Sequence, residues 1–198
     1  MIILAVDLRN FQYTNGLFAF YNLILDPFLI YTLRVKPEEI GRVWRRGSEM
    51  IISGKMEEFQ EYISELRKKG GDEEAISYLL EGNYYMKRDM PIKTMRLVRK
   101  AMSVTTNPHL LGRAYSNLAW ALRVTGNLSA SNAAVMKSLD IRTKLGNLPE
   151  AFIPLAYNYY FGEEYAKARD VLPPVDKVPQ LSALKVLHIR ALIEFSEG

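Results

Sequence analysis

The stretch "SNLAWALRVTGN", Ser116–Asn127, places large and small apolar residues at helical spacing and then stops at Gly126-Asn127. Tyr115, Ala119 and Leu122 share one face of such a helix, reading large, small, large at i, i+4 and i+7. The signature returns along the chain. Small residues stand at Gly47, Gly82, Ala119, Ala156 and Ala191, at spacings of 35, 37, 37 and 35. A turn position follows each by seven residues: Gly54, Asp89, Gly126, Glu163 (beside Gly162) and Gly198. Val43, Tyr78, Tyr115, Phe152 and Leu187 precede the small residues by four; Met50, Tyr85, Leu122, Tyr159 and Glu194 follow them by three. A small side chain at that point lets a second helix approach the backbone closely. The inward positions of the second helices are Met56, Phe59, Ile63 and Leu66, then Thr94, Val98 and Ala101. Ser131, Val135 and Leu139 serve the third copy, and Tyr165, Ala168 and Leu172 the fourth.

Start and stop signals agree with this division. Pro37 stands at a first helical position with Glu38 and Glu39 behind it. Lys68-Lys69-Gly70-Gly71 is a stop, and Asp72 is expected to cap the helix that follows. Pro91 starts a further helix, Asn107-Pro108 breaks the chain, and Pro173-Pro174 ends a shorter helix. After residue 36 no strand pattern is found. Residues 1–36 differ: "MIILAVDL" and "FLIYTLRV" are rich in β-formers, and the same runs are compatible with two short buried helices. Leu17–Leu33 is apolar, but it is short for a span and holds Asn22, Asp26 and Pro27. It is read as buried structure capping the first hairpin, not as a membrane helix.

Composition limits the chemistry. Apolar residues make up 48%, charged residues 24%, and the net charge is +4, too little by itself to indicate nucleic-acid binding. There is no cysteine, which removes disulfides, thiolate metal sites and thiol nucleophiles and accords with a cytoplasmic location. Three glutamines hint at heat adaptation, although asparagine is not depleted. His109 and His188 are far apart in sequence, and His109 is expected to be solvated in a turn. No phosphate loop, dinucleotide fingerprint or zinc-protease motif occurs. No enzyme activity, cofactor or metal is expected.

The period, carried most clearly by "YLLEGNYYMKRDMPIKTMRLVRKAM", "AYSNLAWALRVTGN" and "LAYNYYFGEEYAKA", resembles the tetratricopeptide repeat. The resemblance implies an all-α fold over residues 37–198: an α-α superhelix, a right-handed solenoid of about 4.5 helix-turn-helix copies. The copies run over about 40–73, 75–107, 112–147, 149–178 and 181–198. Phe59 and Thr94 depart from the family, which has small residues there, and its terminal proline is mostly missing. An irregular helical bundle is the alternative architecture.

The resemblance also implies function. First helices line a concave groove that takes an extended peptide or partner helix. Groove-facing positions would be Trp44 and Ser48, then Leu79, Asn83 and Lys87, then Arg113, Ser116, Asn117, Trp120 and Arg123. Tyr157 and Tyr160 follow, then Lys185 and His188. Cations interleaved with aromatic rings suit an acidic protein or peptide partner. The family's carboxylate clamp is broken: Asn83 and Asn117 hold its two Asn positions, but Leu79, Glu150 and Pro154 replace cations. Nucleic acid and membrane are not expected partners. Two other functions compete: RNA binding of the pentatricopeptide kind, and a regulatory or sensory arm of a larger assembly. The fifth copy lacks a second helix, so Leu184, Leu187 and Ala191 must pack on copy four or stay exposed. A homo-oligomer through that helix or through the apolar N-terminus is the expectation that follows.

Overall fold

In the computed structural model residues 36–146 and 149–198 are described, and they form nine α-helices and no strand. The expectations for the N-terminal segment fall on residues 1–35, outside the described residues. The helices are α1 (Pro37–Ile52), α2 (Met56–Lys69), α3 (Gly71–Met86), α4 (Pro91–Val104) and α5 (Pro108–Val124). They continue as α6 (Leu128–Lys144), α7 (Ile153–Phe161), α8 (Tyr165–Val171) and α9 (Gln180–Glu197). Short 3₁₀ turns lie at Glu150–Phe152 and Val175–Lys177.

The sequence period has a physical counterpart in the turns. Gly54, Asp89, Gly126 and Glu163 have φ of 73°, 53°, 80° and 59°. The N–H of each following residue (Lys55, Met90, Asn127, Glu164) donates to the carbonyl of Met50, Tyr85, Leu122 or Tyr159, at distances between 2.9 and 3.0 Å. This bond closes a helix by the Schellman arrangement, which needs a left-handed residue. Glycine fills that need without strain; Asp89 and Glu163 adopt it against their preference.

The paired helices repeat as well. Phe59, Thr94, Ser131 and Ala168, each twelve residues after a small residue, are completely buried. Thr94 Oγ1 donates to the Gly82 carbonyl at 3.3 Å, and Ser131 Oγ to the Ala119 carbonyl at 2.7 Å. Gly47 differs from the expected role. A Cβ there would lie 2.6 Å from Leu80 Cδ1, so the close neighbour is α3, the next first helix, and not the paired α2. The bulky Phe59 stands where the other copies have Thr, Ser or Ala.

Each odd-numbered helix packs on the next odd-numbered one, from α1 through α3, α5 and α7 to α9. Helices α2, α4 and α6 each pack on the odd helix before and the one after, and α8 packs on α7. One core runs through α1–α5 around Phe59, Ile63, Ile76, Leu80 and Val98. A second joins α5, α6 and α7 through Ala119, Val135 and Leu155, and a third joins α7, α8 and α9.

Several expectations are corrected. Leu79 is completely buried in the first core, because its position on α3 turns it inward. In α9 the buried stripe is Val186, Ile189 and Ile193, while Ala191 is exposed and Leu184 and Leu187 are 61% and 48% exposed. The first stripe meets α7; the second lies on the opposite side, where the earlier copies have their paired helix. Asp72 does not cap α3, which starts at Gly71 after Gly70. Its carboxylate instead accepts from Thr105 Oγ1 and, at 2.8 Å, from Asn107 Nδ2, tying the first turn of α3 to the α4–α5 turn. His109 lies inside the first turn of α5, half-buried, and its N–H donates to the Asn107 cap.

Candidate functional site

Helices α5, α7 and α9, with the end of α3, line most of a cavity of about 600 Å³. Helix α5 forms its floor with Arg113, Ser116, Asn117, Trp120, Arg123 and Val124. These positions advance by three and four residues, so one face of a single helix presents them. Lys87 enters from the end of α3, Ile153, Pro154, Tyr157 and Phe161 from α7, and Ser182, Lys185 and His188 from α9.

Of the residues expected in a groove, the structure brings together Lys87, Arg113, Ser116, Asn117, Trp120, Arg123, Tyr157, Lys185 and His188. Asn83 stands behind the wall, where its Oδ1 accepts from Asn117 Nδ2 at 3.1 Å. The two clamp-position asparagines are therefore occupied with each other. Tyr160 does not line the cavity. Its ring packs against Phe161 and Tyr165, and its hydroxyl is 3.3 Å from Ser196 Oγ. Trp44 also lies off the cavity, stacked under the Arg113 guanidinium at 4.7 Å.

Arg123 is the centre of the site. Its Nη1 donates to Asn158 Oδ1 at 2.9 Å, and its guanidinium lies 5.0 Å from the Tyr157 ring centre and 5.4 Å from that of Phe161. Asn158 is held in turn. Its Oδ1 also accepts from Ser131 Oγ at 3.0 Å, and its Nδ2 donates to Asn132 Oδ1 at 2.8 Å. Arg123 forms no ion pair among the described residues, and its Nε is buried with no hydrogen-bond partner. Burial pushes its pKa down to about 10, against the pull of the Tyr157 phenol. Burial likewise pushes the Tyr157 phenol above its ordinary value, and the Arg123 charge opposes that. The Tyr157 hydroxyl is 3.0 Å from His188 Nδ1.

Elsewhere in the cavity wall one ion pair is present. Arg142 Nη2 is 3.5 Å from Glu150 Oε1. Burial lowers the Arg142 pKa, with Glu150 opposing. The protein around the Arg113 guanidinium lowers its pKa, and the charge of Arg142 lowers it further. The cavity wall thus carries five permanent cations, Lys87, Arg113, Arg123, Arg142 and Lys185, against the single carboxylate of Glu150.

Sequence reasoning missed Arg142, Asn158 and Phe161. Arg142 sits on a second helix and reads as a surface cation, and Glu150, expected only as the replacement of a clamp cation, is its partner. Asn158 had a signal: it is a polar residue inside the apolar run "LAYNYYF", and a buried Asn needs partners. Among the described residues no group of three or more His, Asp or Glu side chains converges to hold a metal ion. No family model, curated protein or solved structure matches the chain.

Proposed function

We propose that the chain is a tetratricopeptide-like solenoid that binds an acidic segment of a protein partner in the groove formed by its first helices. It acts as a non-enzymatic interaction module. The repeated turn and the continuous row of odd-numbered helices support the architecture. One observation carries the ligand class: Arg123 is a desolvated cation in a cavity wall, braced by Asn158 and two rings, with no carboxylate beside it. A buried charge without a counter-charge is costly to fold around. A partner carboxylate at Arg123 would replace the missing counter-charge and form charge-assisted hydrogen bonds. Val124 and Phe161, 41% and 55% exposed beside it, offer apolar contact area to the neighbouring partner residue.

The test is binding of Glu-containing synthetic peptides and their Gln counterparts to the wild-type chain and to Arg123→Gln. The reading predicts retention of Glu peptides by wild type and a loss of about tenfold or more in Arg123→Gln. Equal retention of Glu and Gln peptides contradicts it. Binding of a single-stranded RNA through Arg123, with no peptide binding, favours the nucleic-acid alternative.

A further inference from the structure

Besides the cations of the groove, one helix outside it carries a row of positive charge. Helix α4 carries Lys93, Arg96, Arg99 and Lys100 and no acidic residue, and the turn before it adds Lys87 and Arg88 against Asp89. The net charge of the whole chain is +4. The inner face of α4 (Thr94, Leu97, Val98, Ala101) is buried. Its outer line is Ile92, Arg96, Arg99 and Ser103, at i, i+4, i+7 and i+11, all exposed. Lys93 and Lys100 flank that line on one side and Met95 on the other. None of the four cations forms an ion pair among the described residues. The outer helix α2, by contrast, holds Glu57, Glu58, Glu61 and Glu65 beside its three cations. Ile92, at the N-terminal end of this line, is 67% exposed.

We propose that the outer face of α4 docks on an anionic lipid bilayer. Cations in a row attract acidic headgroups, and an exposed aliphatic side chain at the end of the row can enter the headgroup boundary. A nucleic acid fits the face less well. Single strands are held by stacking on exposed rings, and the rings nearest the strip, Tyr78 and Tyr85, lie under Lys100 and Lys93. Among the described residues no helix is long and apolar enough to cross a membrane.

The experiment is flotation of the full chain with phosphatidylcholine vesicles, with and without about 30 mol % phosphatidylserine. The expected result is binding to the acidic vesicles only, weakened by salt. Each removed charge should cost about fivefold, so Arg96→Gln/Arg99→Gln/Lys100→Gln together should lose about a hundredfold. Ile92→Ser should weaken binding several-fold without changing the salt dependence, and Arg123→Gln should leave it unchanged. These outward side chains have few partners, so the melting curve of the variants should match wild type. Should the triple variant melt early, Arg99→Gln alone still reads the fivefold step. Equal binding to neutral vesicles overturns the proposal, and so does a well-folded triple variant that floats like wild type. Capture of a single-stranded RNA through these residues, with no binding to acidic vesicles, overturns it in favour of a nucleic-acid surface.

Discussion

Gly47 and Gly82 occupy the same place in successive copies, yet replacing each by alanine should change stability in opposite directions. At Gly82 a new Cβ would meet Val98 Cγ2 at 3.9 Å and Leu97 Cβ at 4.0 Å, ordinary contact distances. Only the helix preference changes, and alanine in a helix interior is better than glycine by about 1 kcal/mol. At Gly47 the new atom would lie 2.6 Å from Leu80 Cδ1, 3.0 Å from Cδ2 and 3.4 Å from Cγ. Leu80 is completely buried, and close-packed interiors give such a side chain little room to yield. Overpacking of this kind costs about 1–3 kcal/mol. Subtracting the helix gain leaves a net loss of about 1 kcal/mol. For a chain of this size 1 kcal/mol shifts the melting temperature by about 2–4 °C. Gly82→Ala should therefore melt about 3 °C higher than wild type and Gly47→Ala about 3 °C lower. Circular dichroism melts at matched concentration measure both. Shifts of the same sign would refute the claim that Gly47 is the point where α3 approaches α1.

Three further outcomes follow. Glu163→Gly should raise stability by about 0.5–1 kcal/mol, read by urea titration, because Glu163 holds φ of 59° where glycine is unstrained; a loss would mean its side chain contributes more than the backbone strain removes. Arg123→Met should abolish acidic-peptide binding yet gain about 1 kcal/mol in the same titration, because it deletes a buried charge without a counter-charge and leaves Asn158 Oδ1 bonded to Ser131; a large loss of stability would make Arg123 a structural residue. In Arg123→Gln the Tyr157 phenol, followed by ¹³C NMR of labelled tyrosine, should titrate at still higher pH than in wild type, since the Arg123 charge opposes the rise caused by burial; a fall would contradict the packing of the two side chains.

The period was readable because it rests on local rules. A small residue, a turn seven residues later and a buried position twelve residues later all lie within one hairpin. Backbone geometry therefore ties them together, even where Asp89 or Glu163 replaces glycine at the turn. The positions expected in the groove came from the resemblance, copy by copy, with helix phase turning Trp120 away from the paired helix, and Trp120 and Arg123 do line the cavity. Leu79 and α9 were misread for a different reason. Which face of a first helix is covered depends on its neighbour in the next copy, a contact that spacing within one copy does not report. The Arg123 environment was hidden for the same cause: Asn158 and Phe161 come from α7, and their convergence on a residue of α5 is a tertiary fact. Charge on α4 was visible as composition, but its exposure and lack of partners were not.

The central claim is that the groove around Arg123 receives an acidic partner segment. The chain has two tryptophans, Trp44 and Trp120, and of these Trp120 lines the cavity. The most direct measurement is a ¹⁵N NMR titration of the full chain with a pool of Glu-containing peptides, following the two indole N–H signals and the Arg123 Nε–H. The expected result is a saturable shift of the Trp120 and Arg123 signals, a much smaller one for Trp44, and none with the Gln counterparts. Shifts confined to Trp44, or identical responses to Glu and Gln peptides, would contradict it.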